Sequence, residues 1–120
     1  MGRIVIVEDN PQNMKLAVLL LESAGHEVFQ ASDGQTALIL VRERQPDLVL
    51  MDIQLADLDG LVATKSLKAD PSTSHIRVVA LTAFAMKGDE EKIREAGCDG
   101  YIAKPIRRQD FLARITAALS

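Results

Sequence analysis

Two periodicities alternate along the chain. Short apolar runs rich in β-branched residues fall at Ile4–Val7, Val28–Ala31, Leu48–Met51, Ile76–Leu81 and Tyr101–Ala103. Runs of this kind, apolar on both faces, suit the central strands of a parallel sheet. Between them, apolar residues recur at helical spacing and are bracketed by helix punctuation. Asn10 is placed to cap the first helix, with Pro11 at its first position and Gly25 past its end. Met14, Ala17, Val18 and Leu21 share one face of it. Ser32 and Gln35 read as a capping box opening a second helix, with Ala37, Leu38 and Val41 turned inward and a stop near Pro46. The pattern predicts a third helix from about Asp59 to Ala69 and a fourth from about Met86 to Ala96, followed by Gly97. A fifth follows Pro105, with Phe111, Leu112, Ile115 and Leu119 on one face.

Strict alternation of five strands and five helices predicts one doubly wound α/β domain over residues 1–120. The hydrophobic fraction of 48% supports a packed core, and with only 3% aromatics that core is aliphatic. The 14 basic and 17 acidic residues leave a net charge of -3, which offers no field for nucleic acid or an anionic membrane. So few aromatics also argue against base stacking. Cys98 is the single cysteine, so no internal disulfide forms, and with two isolated histidines it cannot build a zinc or iron–sulfur site. The longest apolar run, Leu16 to Leu21, is too short to span a bilayer, and no secretory signal opens the chain. These features lead us to expect a cytoplasmic protein.

Chemistry enters at the strand ends, where open α/β sheets bind ligands. The first strand ends in Glu8-Asp9, the third in Asp52, the fourth in Thr82 and the fifth in Lys104. Any one of these could be an ordinary loop residue. Four strand ends together bring three carboxylates, a hydroxyl and an amine to one edge. Carboxylates about 4 Å apart repel by roughly 4 kcal/mol at an effective dielectric near 20. Such a cluster calls for a hard divalent cation, magnesium first. Three carboxylates, one lysine and one divalent ion sum to neutrality, which a phosphoryl group would then unbalance by about -1.5 to -2. The pattern therefore points to phosphoryl chemistry on an aspartate, with metal, hydroxyl and ammonium around the transferring oxygens.

The acidic pair Glu8-Asp9, the segment MDIQLADLDG around Asp52, LTA around Thr82 and YIAKP around Lys104 resemble the receiver domain of two-component response regulators. The resemblance covers essentially the whole chain and is strongest to stand-alone receivers and to the receivers of hybrid kinases. It implies a flavodoxin-like sheet ordered 2-1-3-4-5. It implies that Asp52 is the phosphoacceptor and that Glu8, Asp9, Asp52 and the Gln54 backbone carbonyl hold Mg2+. Thr82 and Lys104 would bind phosphoryl oxygens, across a cis Lys104–Pro105 peptide. Tyr101 would be the switch aromatic, although plain core packing serves equally well for it. Ala83 would leave space beside the phosphoryl group, and Gln54 and Phe84 would tune its loss. The donor would be a histidine kinase or histidine phosphotransfer domain, docking near the first helix and Asp52. A downstream protein would read the face of the fourth helix, fifth strand and fifth helix. The protein would be a monomer and would not be an enzyme in its own right.

Two positions depart from the family pattern. Glu8 stands where aspartate is usual, and Ala56 where proline is common. Neither removes a reacting group. The competing reading is a haloacid-dehalogenase-type phosphatase, which also uses an aspartyl nucleophile and magnesium. Against it, Asp52-Ile53-Gln54 lacks the second acid of a D-x-D nucleophile strand, and the acid pair comes first in the chain instead of late. A nucleotide or flavin binder is opposed by the lack of a glycine-rich phosphate loop. Of the remaining polar residues, Asp57, Asp59 and Asp99 read as turn or cap residues. His26 and His75 read as surface residues, and Cys98 as a small hydrophobe.

Overall fold

The computed structural model describes residues 2–55, 59–83 and 87–119, and the side chains of 87–89 are not described. Five strands alternate with five helices: β1 (Arg3–Val7), α1 (Pro11–Ser23), β2 (Glu27–Ala31), α2 (Gly34–Arg44), β3 (Leu48–Asp52), α3 (Gly60–Ala69), β4 (Arg77–Thr82), α4 (Lys87–Glu95), β5 (Gly100–Ala103) and α5 (Arg108–Leu119). All strand pairs are parallel, in the order β2-β1-β3-β4-β5. Successive strand residues point to opposite faces, and two core clusters divide along that alternation. Ile4, Ile6, Leu48, Leu50, Val79, Leu81 and Ile102 pack with α1 and α5 through Ala17, Leu21, Phe111 and Ile115. Val5, Val7, Val49, Met51, Val78 and Ala80 pack with α2, α3 and α4 through Ala37, Val41, Ala63, Leu67 and Ile93.

Local chemistry sets the element ends. The Asn10 side chain accepts the Gln12 and Asn13 N–H groups at the start of α1. Gly25 and Gly97 take left-handed φ values of 89° and 101° past α1 and α4. The expected capping box at Ser32 is not the start of α2. Asp33 caps it instead, one oxygen accepting the Thr36 N–H at 2.7 Å and the other the Thr36 hydroxyl at 3.0 Å. A carboxylate accepts both at once, which a serine hydroxyl cannot match. On α1 the register turns Leu20 inward and leaves Val18 partly buried. His26 is also more engaged than a surface residue, since its Nδ1 accepts the Gly2 N–H at 3.0 Å. Ala56, Asp57, Phe84 and Met86 lie outside the described residues.

Candidate phosphoryl-acceptor site

Alternation along the strands decides which side chains can meet at the C-terminal edge of the sheet. Asp52 continues the face of Leu48 and Leu50, and Glu8 that of Ile4 and Ile6, so both point toward the α1/α5 side. The Glu8 N–H is tied to the Ala31 carbonyl at 3.0 Å, which fixes its main chain beyond β1. Both carboxylates are buried, each only 2% exposed, whereas Asp9 is exposed. One oxygen from each of Glu8, Asp9 and Asp52 lies within 4.8 Å of the others.

A single cation serves the buried pair. Lys104 Nζ donates to Glu8 Oε1 at 2.8 Å and to Asp52 Oδ2 at 3.2 Å. The Lys104 main chain is anchored by its N–H to the Thr82 carbonyl at 2.7 Å, and the Lys104–Pro105 peptide is cis. The Gln54 N–H donates to Asp52 Oδ1 at 2.9 Å, which sets the Gln54 peptide beside the Asp52 carboxylate. Among the described residues, Glu8 Oε2 is buried with no hydrogen-bond partner.

The electrostatics follow. Burial pushes the Glu8 carboxyl up to about 7, the adjacent Asp52 adds to that, and Lys104 opposes it. Burial also works against ionisation of Asp52. Hydrogen bonds with Glu8 and from the Gln54 N–H, together with the Lys104 charge, nevertheless hold its carboxyl below the ordinary aspartate value. Burial works against the Lys104 charge as well, but its two acidic partners hold it above the ordinary lysine value. Asp52 is thus the ionised member of the pair and Glu8 the one that takes a proton first.

Thr82 and Tyr101 lie on the other face. Thr82 is fully buried and continues the face of Val78 and Ala80, toward α4. Tyr101, the register partner of Ala80, packs on the same side. The site is therefore split by the sheet, with the charges above α1 and α5 and the hydroxyl and the ring toward α4.

Gly60 was expected only to open a helix, and its packing adds a second requirement. A Cβ there would lie 2.2 Å from the Asp52 carbonyl oxygen and 2.6 Å from Ile53 Cα. Asp59 caps α3 through the Leu61 N–H, so the first peptide of α3 is pressed onto the main chain of Asp52. No spacing signal announces that contact, because it depends on how α3 returns to β3.

Comparison with known proteins places this arrangement. The response regulator receiver domain family matches residues 4–116, and the chain belongs to that family. Among curated proteins, the polar-differentiation response regulator DivK of Brucella anthropi is 53% identical over 116 residues, covering 97% of this chain and 94% of that protein. The receiver domain of the sensor histidine kinase PA1611 from Pseudomonas aeruginosa PAO1, solved with a magnesium ion in its active site cleft, is 34% identical. It superposes with a TM-score of 0.91 and covers 98% of this chain and 97% of that one. The chemotaxis protein CheY4 of Vibrio cholerae shares the fold, with a TM-score of 0.94 at 21% identity over 99% of both chains.

The chain is accordingly a DivK-like response regulator receiver, a signalling protein of two-component systems, and the phosphatase alternative is not supported. Receiver domains of this kind work with histidine kinases and downstream proteins. They bind magnesium at an acidic pocket, and the Glu8–Asp9–Asp52 cluster fits one through its oxygen donors and the unpartnered Glu8 Oε2. No helix among the described residues is long and apolar enough to cross a membrane.

Proposed function

We propose that residues 1–120 act as one receiver domain whose Asp52 accepts a phosphoryl group from a phosphohistidine on a histidine kinase or phosphotransfer domain. The charge imbalance carries this reading: two buried carboxylates share one lysine, a third, Asp9, stands beside them, and a buried oxygen of Glu8 has no partner among the described residues. In the transfer, an Asp52 oxygen bonds to phosphorus while the phosphorus–nitrogen bond to the donor imidazole breaks. The bonding pair leaves on that nitrogen. Lys104 gives up its carboxylate contacts for a phosphoryl oxygen, and the Thr82 hydroxyl donates to another. Ala83 keeps the approach open. Glu8, Asp9, Asp52 and the Gln54 carbonyl would hold Mg2+, which when bound supplies positive charge against the phosphoryl oxygens.

The donor docks along α1. Leu16 and Leu19 are exposed there, and Leu19 lines a groove of about 560 Å³ that opens at Glu8 and Asp9 and runs past Met14 and Lys15. Phosphorylation is read by a downstream protein on the α4–β5–α5 face. The protein works in the cytoplasm as a monomer, without direct contact to nucleic acid or membrane, and turns over no substrate beyond its own phosphoryl group.

Magnesium with acetyl phosphate should give one acid-labile phosphate adduct on the intact protein, read by mass. Asp52→Asn should abolish it, and an undiminished adduct in that variant overturns the assignment.

A further inference from the structure

The α4 face of the site carries a contact that the acceptor chemistry does not use. Tyr101 is half-buried, and its ring lies against the core cluster that includes Ile93 of α4. Its hydroxyl donates to Glu90 Oε1, also on α4. Its carbonyl accepts from Arg114 Nη1 of α5 at 3.2 Å, and Arg114 Nε is itself held by Asp110 at 3.2 Å. Both ends of Tyr101 are thus fastened to the helices that flank β5. Thr82 is on the same face, two residue pairs nearer the phosphoryl edge than the Ala80–Tyr101 pair.

The geometry points to Glu90 as a latch that holds Tyr101 toward α4 and so sets the resting position of the switch. Glu90 touches none of the reacting groups and is a positioning residue. The inference rests on the reading of Asp52 as acceptor and of Tyr101 as the moving aromatic. For the ring to turn toward Thr82, its hydroxyl must leave the Glu90 carboxylate. Glu90 thereby contributes free energy to the unphosphorylated form alone, and a ligand or side chain shifts a two-state equilibrium only by such a difference. Glutamine keeps an acceptor oxygen but removes the charge, so Glu90→Gln weakens the latch and Glu90→Ala abolishes it.

Tyr101 is the only tyrosine of the chain, so carbon-labelled tyrosine gives a single ring signal. The experiment records that signal with magnesium, with and without beryllofluoride, in the intact protein, in Glu90→Gln and in Glu90→Ala. Beryllofluoride should move the wild-type signal. Without it, Glu90→Ala should already sit part of the way to the beryllofluoride position, its switched population raised about five- to tenfold, with Glu90→Gln between. Acetyl phosphate should label Asp52 faster in the same order. A purely structural role would lower thermal stability without moving the signal toward that position. If beryllofluoride moves the signal in every protein but neither variant shifts without it, the latch is overturned and the acceptor reading stands. If beryllofluoride moves no signal at all, the switch reading falls and takes the latch with it.

Discussion

Two lysine–aspartate pairs stand at opposite edges of the same sheet. At the N-terminal edge, Lys68 Nζ donates to Asp99 Oδ2 at 3.0 Å and to the Ile76 carbonyl at 2.8 Å. The same Asp99 oxygen accepts the Val78 N–H at 2.8 Å, so the pair stitches the end of α3 to the starts of β4 and β5. One cation meets one anion there, and the anion remains 44% exposed. At the C-terminal edge, Lys104 is divided between two buried acids, a third acid stands nearby, and one carboxylate oxygen has no partner. Both edges use the same residue types. What separates a brace from a binding site is the count of charges and the burial of the surplus.

That contrast can be tested by removing the acid at each edge. Asp52→Asn should eliminate phosphorylation entirely yet keep the fold, because asparagine retains an oxygen for the Gln54 N–H. A large fall in melting temperature would show Asp52 to be a brace. Lys104→Ala should keep the fold but lose partner binding that depends on phosphorylation, measured by pull-down with and without beryllofluoride. Asp99→Asn should cost about 1–2 kcal/mol in denaturant unfolding and leave phosphorylation intact.

The pH dependence separates the edges again. Glu8 has a folded-state value of about 7, above its ordinary 4.5, so the metal-free fold binds that proton more tightly than the unfolded chain does. Its contribution is complete below 4.5 and is lost as pH rises through about 7. Asp52 is shifted downward and contributes in the opposite sense, above its ordinary 3.8 and lost as pH falls below its folded value. Where Glu8 holds magnesium, as proposed, the ion displaces the Glu8 proton. Its affinity, by calorimetry, should therefore fall by up to about tenfold per pH unit below about 7 and level off above it. The smallest effect belongs to Lys68→Met, at under about 1 kcal/mol, since its pair is partly solvated.

The strand ends were readable from residue order because a parallel sheet brings every strand's carboxyl end to one edge. Glu8, Asp9, Asp52, Thr82 and Lys104 needed no further information to be gathered there. The division of that group between two faces was also implicit in the strand alternation, one residue at a time. The Lys68–Asp99 brace was not readable, because its members are 31 residues apart and neither stands in a motif. Asp99 read only as a turn residue. Leu20 joins the buried face of α1 beside the partly buried Val18, because both fit an apolar stripe and only the packing of α1 on the sheet sets how deep each goes. The Tyr101–Glu90 contact depends on how α4 sits over β5, which no sequence spacing specifies.

The approach of Gly60 to the Asp52 carbonyl gives α3 a mechanical character. This ten-residue helix, about 15 Å long, begins against the Asp52 main chain. Its last turn carries Lys68, which grips the opposite edge. It is a strut wedged across the full depth of the sheet. The height at which the Asp52 carboxylate stands is therefore gauged from the far side of the molecule, by a rod whose foot has no room for even one carbon atom more.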